Sequence, residues 1–252
     1  MRLSFKTRPQ HSDWQSIVDF WKEGDRIETY DAGWTFDHLD PIFSNRPGPV
    51  FEGWTMLAAL SGIVERIRLG VMVTGNTYRH PSVLANMAAT LDVASGGRLE
   101  IGLGTGWVEA EHRAYGIPLP SWKERFDRLE ETCEILHLLF VTDVADFSGS
   151  FYRLEGARAL PKPLQRPHPP IIIGGTGEKR TLRIAALWAD EWNLPGGDPD
   201  VLRHKVGVLH QHCAEVGRDP SEIEVSTKIP ADGDPGALAE LVGQLREAGA
   251  DH

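Results

Sequence analysis

The feature that most constrains the fold is the alternation of short apolar runs with longer segments of helical periodicity along most of the chain. Short apolar runs bounded by turn residues predict strands, and apolar residues at helical spacing predict helices. Such alternation is typical of parallel strands joined by right-handed helical crossovers. The predicted strands cover residues 3–6, 32–36, 68–74, 99–104, 171–173, 191–194 and 223–227. The predicted helices cover residues 13–26, 54–63, 81–93, 108–115, 122–140, 179–188, 199–216 and 235–248.

The length of 252 residues suits one α/β domain of the TIM (β/α)8 barrel type, so we expect a single domain over residues 1–252. Residues 143–170 are rich in proline and predict an irregular excursion that contains a small hairpin. After the last predicted helix, residues 249–252 resemble the approach to an eighth strand. The sequence therefore predicts a barrel that lacks its eighth strand and final helix, and we expect the natural protein to be longer.

The charge and the cysteine content limit the kinds of partner and the cellular compartment that we expect for this protein. The formal net charge of −10 argues against nucleic acid, because phosphate backbones are bound by excess Lys and Arg. The only two cysteines, Cys133 and Cys213, do not encode a disulfide framework. The sequence has no apolar run long enough to cross a membrane and no apolar signal segment. We expect a cytoplasmic protein that acts on a small molecule.

Three predicted strands end in residues suited to a binding site. Asp37 and His38 follow the second strand, glycines 104 and 106 flank the end of the fourth, and residues 174–177 (Gly-Gly-Thr-Gly) follow the fifth. Active sites of alternating barrels lie where strands end. Glycines let backbone N–H groups approach an anion, and a helix beginning at residue 178 would add its positive end, so residues 174–177 predict a phosphate site. A plain turn is the alternative.

Several side chains could do chemistry at this edge. A His38 imidazole could exchange a proton with a substrate hydroxyl near neutral pH, although it could equally be an exposed histidine beside a turn-capping aspartate. Trp107 and Trp192 are candidates to wall a substrate pocket. Arg79 could lie near an anionic ligand, whereas His112 is expected on a polar helical face. No His, Asp and Glu spacing recommends a metal site, and no serine-nucleophile elbow is present.

Five segments together resemble the luciferase-like monooxygenase superfamily, and most closely its branch that uses the deazaflavin coenzyme F420. They are residues 34–38 (WTFDH), 68–81 (RLGVMVTGNTYRHP), 95–99 (SGGRL), 102–107 (GLGTGW) and 173–177 (IGGTG). The resemblance runs along essentially the whole chain. It implies a TIM-type barrel that holds the cofactor ring at its C-terminal rim.

The resemblance also implies roles for individual residues. The third strand is expected to contain a bulge with a non-prolyl cis peptide within residues 71–73, so that Val71 and Met72 support one face of the ring. Asp37 and Thr74 would contact the ring, and His38 would act as acid or base. The remaining cofactor-binding residues that it implies are Gly104, Gly106, Gly174, Gly175, Thr176 and Gly177.

Three hypotheses about function remain open at this stage. The first is an F420-dependent oxidoreductase that transfers a hydride to or from a small organic substrate. The second is an FMN-dependent two-component monooxygenase, and either enzyme would be served by a separate flavin or F420 reductase and could form a homodimer. The third is a non-catalytic flavin-binding or structural barrel. Trp107 stands where the sugar-phosphate dehydrogenase branch has an acidic residue, which argues against glucose 6-phosphate as the substrate.

Overall fold

The computed structural model describes residues 1–42, 46–230 and 233–252, which divide into two compact units. The first unit is Ser4–Pro169, and the second is Pro170–His252 together with Met1–Leu3. The expectation of a single domain over residues 1–252 stays a prediction. None of the described helices is long and apolar enough to cross a membrane.

Four parallel strands form the sheet of the first unit. Each pairs with the next along the chain, in the order β1 (Ser4–Lys6), β2 (Ala32–Thr35), β3 (Arg68–Gly75) and β4 (Leu99–Gly104). The helices of this unit are α1 (Trp14–Arg26), α2 (Gly53–Ser61), α3 (Pro81–Ala94), α4 (Glu109–Tyr115) and α5 (Trp122–Val141). The parallel alternation predicted from the sequence is confirmed here.

Local chemistry explains where these helices begin. The Asp13 side chain accepts the Ser16 backbone N–H at 2.9 Å, which satisfies a donor that the first turn of α1 leaves open. Helix α3 begins at Pro81, whose missing N–H costs nothing at that position. One face of α1 is apolar, and its Trp21 packs edge-on against Phe5 of β1 with ring centroids 5.2 Å apart. The helix is therefore fixed against the sheet by apolar burial.

Strand β3 contains the irregularity that the family resemblance implies. Its register against β4 shifts between Val71 and Thr74, and the Met72–Val73 peptide bond is cis without proline. A Cβ atom on Gly102 would lie 2.1 Å from the Val71 carbonyl oxygen, so only glycine lets β4 approach the bulge. The Lys6 ammonium donates a hydrogen bond to the Met72 carbonyl. The expectation of a non-prolyl cis peptide within residues 71–73 is confirmed.

The proline-rich excursion contains a hairpin, as predicted. Strands β5 (Ala145–Ser148) and β6 (Arg153–Ala157) pair antiparallel. The turn between them is tied to α5, because the Glu131 carboxylate accepts the backbone N–H groups of Ser150, Phe151 and Tyr152. This contact anchors the excursion to the first unit.

The second unit repeats the parallel pattern with three strands, β7 (Ile171–Gly174), β8 (Glu191–Leu194) and β9 (Glu224–Thr227). Its helices are α6 (Thr181–Trp188), α7 (Pro199–Val216) and α8 (Pro235–Glu247). The prediction that α6 begins at residue 178 or 179 is wrong. Residues 178–180 instead form a turn closed by the Leu182 N–H, which donates to the Gly177 carbonyl at 3.1 Å, and α6 begins at Thr181.

The last residues of the chain lie beside β9. The Asp251 N–H donates to the Val225 carbonyl at 2.7 Å, and the Asp251 carbonyl accepts the Arg2 N–H at 2.8 Å. Within the described residues no eighth parallel strand forms, as the sequence predicts. The backbone of Asp251 thus bonds to β9 on one side and to Arg2 on the other.

Candidate functional site

The segments that follow β2 and β4 come together at His38 in the first unit. The His38 side chain is 11 % exposed, and its Nδ1 lies 3.0 Å from Oε2 of Glu111 on α4. Its ring packs edge-on against Phe36 and Trp107, with centroid distances of 5.1 and 6.1 Å. The sequence left open that His38 is an exposed histidine beside a turn-capping aspartate. The structure contradicts that alternative, because His38 is largely buried and paired with a carboxylate.

Glu111 is the centre of this arrangement. Its Oε1 accepts the backbone N–H groups of Leu39, in a short contact, and Asp40, at 3.1 Å. Its Oε2 accepts hydrogen bonds from His38 Nδ1 and from the Tyr78 hydroxyl. Burial alone would raise the pKa of the Glu111 carboxyl, but the hydrogen bonds from His38, Tyr78 and the Leu39 N–H outweigh it and lower the pKa to about 2. The carboxylate is therefore ionised at neutral pH.

Tyr78 and His112 support the same carboxylate. Burial, together with the hydrogen bond to Glu111 and its negative charge, raises the pKa of the Tyr78 hydroxyl, so this group is a donor. The Tyr78 ring stacks on His112 at 5.0 Å. His112 Nδ1 lies 2.7 Å from the Val108 carbonyl and Nε2 lies 2.8 Å from the Thr77 hydroxyl. The expected polar, exposed position of His112 is wrong, because the side chain is buried in this packing.

Asp37 lies in a second, adjoining network. Its two carboxylate oxygens accept bonds from the Arg79 guanidinium at 2.6 and 3.0 Å, and Arg79 also binds Glu52. Burial raises the pKa of the Asp37 carboxyl, and the ion pair with Arg79 opposes that shift. Thr74 is equally buried and accepts the Trp54 indole N–H at 2.8 Å. The anions that Arg79 contacts are thus protein carboxylates, and contact of Asp37 and Thr74 with a cofactor ring stays a prediction.

The glycine-rich end of β4 adds an open surface. Gly106 has φ = +73°, and a Cβ atom there would lie 2.7 Å from the Thr77 hydroxyl oxygen. Its carbonyl accepts a bond from the Arg125 guanidinium at 2.6 Å, while the Gly104 carbonyl accepts the Asn76 N–H at 2.9 Å. Trp107, the next residue, is 54 % exposed. An aromatic side chain is therefore accessible beside His38.

Val71 and Met72, the neighbouring residues at the bulge of β3, are both buried. Val71 is fully buried and Met72 is 9 % exposed. Their proposed support of a cofactor ring stays a prediction, like the roles of Gly104 and Gly106.

In the second unit, residues 174–177 form a loop made of backbone, which we call the glycine loop. Gly175 has φ = +137°, and its N–H donates to the Asn193 carbonyl at 3.1 Å. A Cβ atom on Gly177 would lie 2.9 Å from the hydroxyl oxygen of Thr181, the first residue of α6. The Arg180 side chain does not cap that helix. The α6 amino end has no side-chain cap, which suits a phosphate group, and the turn at residues 178–180 separates it from the glycine loop.

Trp192 supports the glycine loop. It is fully buried, and its indole N–H donates to the Gly175 carbonyl at 2.9 Å. Its assignment to a substrate pocket stays a prediction, while Thr176, at the tip of the loop, is exposed.

One group of potential metal ligands lies in the second unit, where the sequence singled out none. Oxygens of Glu191 and Glu224 and a ring nitrogen of His252 lie within 4.8 Å of one another. The Arg2 guanidinium lies 3.0 Å from Glu224 and 3.7 Å from Glu191, so it already supplies positive charge to both carboxylates.

Sequence reasoning missed Glu111 and Tyr78. Both are distant in sequence from His38, and neither belongs to a spacing pattern that marks a catalytic group. The available signal was the position of Glu111, on a short helix directly after the glycine-rich end of a barrel strand. On this helix Glu111 reaches the residues that follow the neighbouring strand β2.

Comparison with known proteins gives the family context. A family model described as luciferase-like monooxygenase matches residues 2–232. An FMNH(2)-dependent dimethylsulfone monooxygenase of Pseudomonas putida is 31% identical over 216 residues, which cover 79% of this chain and 58% of that protein. An F420-dependent glucose-6-phosphate dehydrogenase of Microbacterium testaceum is 28% identical over 232 residues, 91% of this chain and 67% of that protein. The chain thus spans 58% of the length of the first of these relatives.

Solved structures show the fold. An F420-dependent secondary alcohol dehydrogenase, in complex with an F420-acetone adduct, superposes with a TM-score of 0.86 at 17% identity, covering 100% of this chain and 92% of that one. The α/β fold of TIM-barrel type, without a closed eighth strand in the described residues, is therefore confirmed.

Proposed function

This chain belongs to the luciferase-like monooxygenase family, and from that premise we propose that it is an F420-dependent oxidoreductase. In this proposal a hydride passes between the deazaflavin and a small organic substrate, with His38 as the proton donor or acceptor. The observation that carries the proposal is the buried pairing of His38 with ionised Glu111 beside exposed Trp107.

The chemistry of His38 follows from its hydrogen bond. An ionised carboxylate only accepts, so Nδ1 of His38 carries the proton that it donates to Glu111, and Nε2 remains for the substrate. When an alcohol is oxidised, its carbon loses a hydride and Nε2 takes the hydroxyl proton. In the reverse direction, Nε2–H returns a proton to the carbonyl oxygen as the hydride arrives. Trp107 would pack against the apolar or aromatic part of the substrate.

The residues present fit a phosphate-bearing cofactor. The uncapped amino end of α6 and the glycine loop, with Gly174, Gly175, Thr176 and Gly177, would hold its phosphate. In the first unit, Val71, Met72, Gly104 and Gly106 would border its ring, and Asp37 and Thr74 would contact it. When bound, F420 supplies a carbon that accepts or donates the hydride. The protein supplies orientation, exclusion of water and the proton.

A second candidate function is favoured by one of the comparisons. The FMNH(2)-dependent monooxygenase is 31% identical to this chain, against 28% for the F420-dependent dehydrogenase. In that case the chain would oxygenate its substrate with reduced FMN from a separate reductase. A homodimer is part of either proposal.

The deciding experiment begins with equilibrium titrations of the purified protein with F420 and, separately, with FMN, followed by fluorescence. Preference for F420 supports the deazaflavin oxidoreductase, and preference for FMN supports the monooxygenase. Binding of neither, by a folded protein, would favour a non-catalytic barrel.

Turnover of secondary alcohols with the preferred cofactor then tests His38. We expect His38→Ala to lower kcat by about 10²- to 10⁴-fold, the usual contribution of a general acid or base. His204→Ala is the matched control, because His204 lies largely exposed in the second unit. Equal turnover in His38→Ala and His204→Ala would contradict the role of His38.

A further inference from the structure

We propose that Glu111 and Tyr78 are a pair of positioning residues that fix His38 in its Nδ1–H tautomer. The proposal rests on the proposed function for its catalytic meaning, but its structural content concerns His38 alone. Neither residue has a role in the chemistry described so far beyond contact with His38.

The first step of the argument is the sharing of one oxygen atom. Glu111 Oε2 lies 3.0 Å from His38 Nδ1 and also accepts the Tyr78 hydroxyl in a short contact. A carboxylate oxygen can only accept, so it holds the proton of the neutral His38 ring on Nδ1. The Tyr78 hydroxyl is a second donor to the same oxygen and keeps that oxygen in place. Glu111 therefore selects the tautomer of His38, and Tyr78 holds Glu111 in the position that selects it.

The second step is that Glu111 cannot turn away from His38. Its other oxygen is held by the backbone N–H groups of Leu39 and Asp40, which directly follow His38. The carboxylate and the histidine are thus fixed to the same piece of backbone. The Glu111 side chain is 1 % exposed, so water does not compete for these bonds.

The third step is that Tyr78 is held just as firmly. Its ring stacks on His112, whose Nε2 is 2.8 Å from the Thr77 hydroxyl, the residue before Tyr78. The Val108 carbonyl can only accept, so His112 Nδ1 donates to it. Both ring nitrogens of His112 are thus engaged in hydrogen bonds, and the ring is held in place under Tyr78.

Other charged groups face this arrangement, and they stay constant in the test. Asp37 precedes His38 and is paired with Arg79, which also binds Glu52. On the side of Trp107 and Phe36 the contacts of His38 are aromatic rings. The Glu111 carboxylate is the charged group in direct hydrogen-bond contact with the imidazole among the described residues.

The test is ¹⁵N and ¹H NMR of the His38 ring in the full chain without cofactor, across a pH series. In the unmodified protein, the neutral ring is expected to carry its proton on Nδ1. In Glu111→Gln that preference is expected to weaken, because a neutral amide accepts the Nδ1–H less strongly than a carboxylate does. In Tyr78→Phe the preference is expected to weaken less, because the carboxylate keeps its charge and loses one of the hydrogen bonds that position it.

Tyr115→Phe is the matched control, because its hydroxyl binds the Leu39 carbonyl at 2.8 Å from the same helix without touching the carboxylate. It is expected to leave the tautomer of His38 unchanged. Equal loss of the Nδ1–H form in Glu111→Gln, Tyr78→Phe and Tyr115→Phe would indicate a general loosening of this region, and that result would overturn the proposal.

If Glu111→Gln does not fold, the tautomer of His38 in the unmodified protein still tests the proposal. A neutral His38 ring with its proton on Nε2 would overturn the proposal without any variant. Because these signals are read without cofactor or substrate, they stay separate from the proposed function. A weakened Nδ1–H preference in Glu111→Gln, combined with unchanged turnover in His38→Ala, would support the pair and reject the proton-transfer role of His38.

Discussion

The His38 cluster (Asp37, His38, Tyr78, Arg79 and Glu111) and the glycine loop are built in opposite ways. The cluster consists of buried and partly buried side chains that contact one another across two loops and a helix. The glycine loop consists of backbone, at positions where side chains would collide with Thr181 or force unusual conformations. The first region depends on charges, and the second depends on the space that absent side chains leave.

This difference predicts how each region responds to mutation and to pH. Buried charges are stable only while paired, so the His38 cluster should be sensitive to truncation and to pH. Backbone N–H groups do not titrate, so the glycine loop should be insensitive to pH and sensitive to an added charge. Three variants test this contrast, beginning with the largest expected effect.

Arg79→Met removes the cation that pairs with buried Asp37. We expect a loss of about 3–5 kcal/mol in the free energy of unfolding, because an unpaired carboxylate is left in the interior. The loss should be greater at pH 8 than at pH 5, since burial raises the pKa of the Asp37 carboxyl and protonation relieves the charge. Urea unfolding at both pH values measures it.

The double variant Asp37→Asn with Arg79→Met is the control for this prediction. It removes the charge as well as its partner, so it should recover part of the stability and lose the difference between pH 8 and pH 5. A single variant no less stable than the double one would show that the charge pair does not hold this region.

Glu111→Gln tests the acid sensitivity of the cluster. The pKa of Glu111 is lowered from 4.5 to about 2 in the folded protein, so its contribution to stability is fully present above pH 4.5 and is lost as the pH falls toward 2. The variant should be less stable than the unmodified protein at pH 6, by on the order of 2–3 kcal/mol, and this gap should narrow by pH 3. Urea unfolding along the pH series gives the gap.

Glu109→Gln is the matched control on the same helix, because Glu109 is exposed. Its stability should follow that of the unmodified protein at every pH. A gap for Glu111→Gln that stays constant from pH 6 to pH 3 would mean that packing, rather than the ionised carboxylate, accounts for the loss.

Thr176→Glu tests the glycine loop. The Thr176 side chain is exposed in the glycine loop, so a carboxylate at this position would repel a phosphate bound to the loop. We expect cofactor affinity to fall by about tenfold, or 1.4 kcal/mol, with an unchanged melting temperature. Fluorescence titration with F420 and FMN measures the affinity, and Thr176→Gln, with the same shape but no charge, should bind normally. Equal weakening in both variants would argue against a phosphate at this loop.

The contrast between the regions also explains which features were predictable. The glycine loop and the end of β4 are local sequence patterns, the bulge in β3 is implied by the family resemblance, and the structure has all three at the predicted positions. Most helices begin and end within two residues of their predicted bounds, because caps and apolar periodicity are local signals. The start of α6 differs because a turn at residues 178–180, closed by Leu182 and Gly177, precedes it.

The His38 cluster could be predicted only in part. His38 was identified as a candidate, but its partner Glu111 lies 73 positions away and was not. His112 was expected to be exposed because its helix is polar, yet that helix packs its Glu111 and His112 side chains inward over the ends of β2 and β3. Arg79 was expected near a ligand anion and instead neutralises Asp37 and Glu52.

The sequence by itself determined the parallel alternation, the bulged third strand, the glycine-rich strand ends and the family, because each is encoded by neighbouring residues. Only the tertiary structure decided which side chains surround His38. Those contacts depend on where distant loops end after the sheet has formed, and no periodicity along the chain records that arrangement.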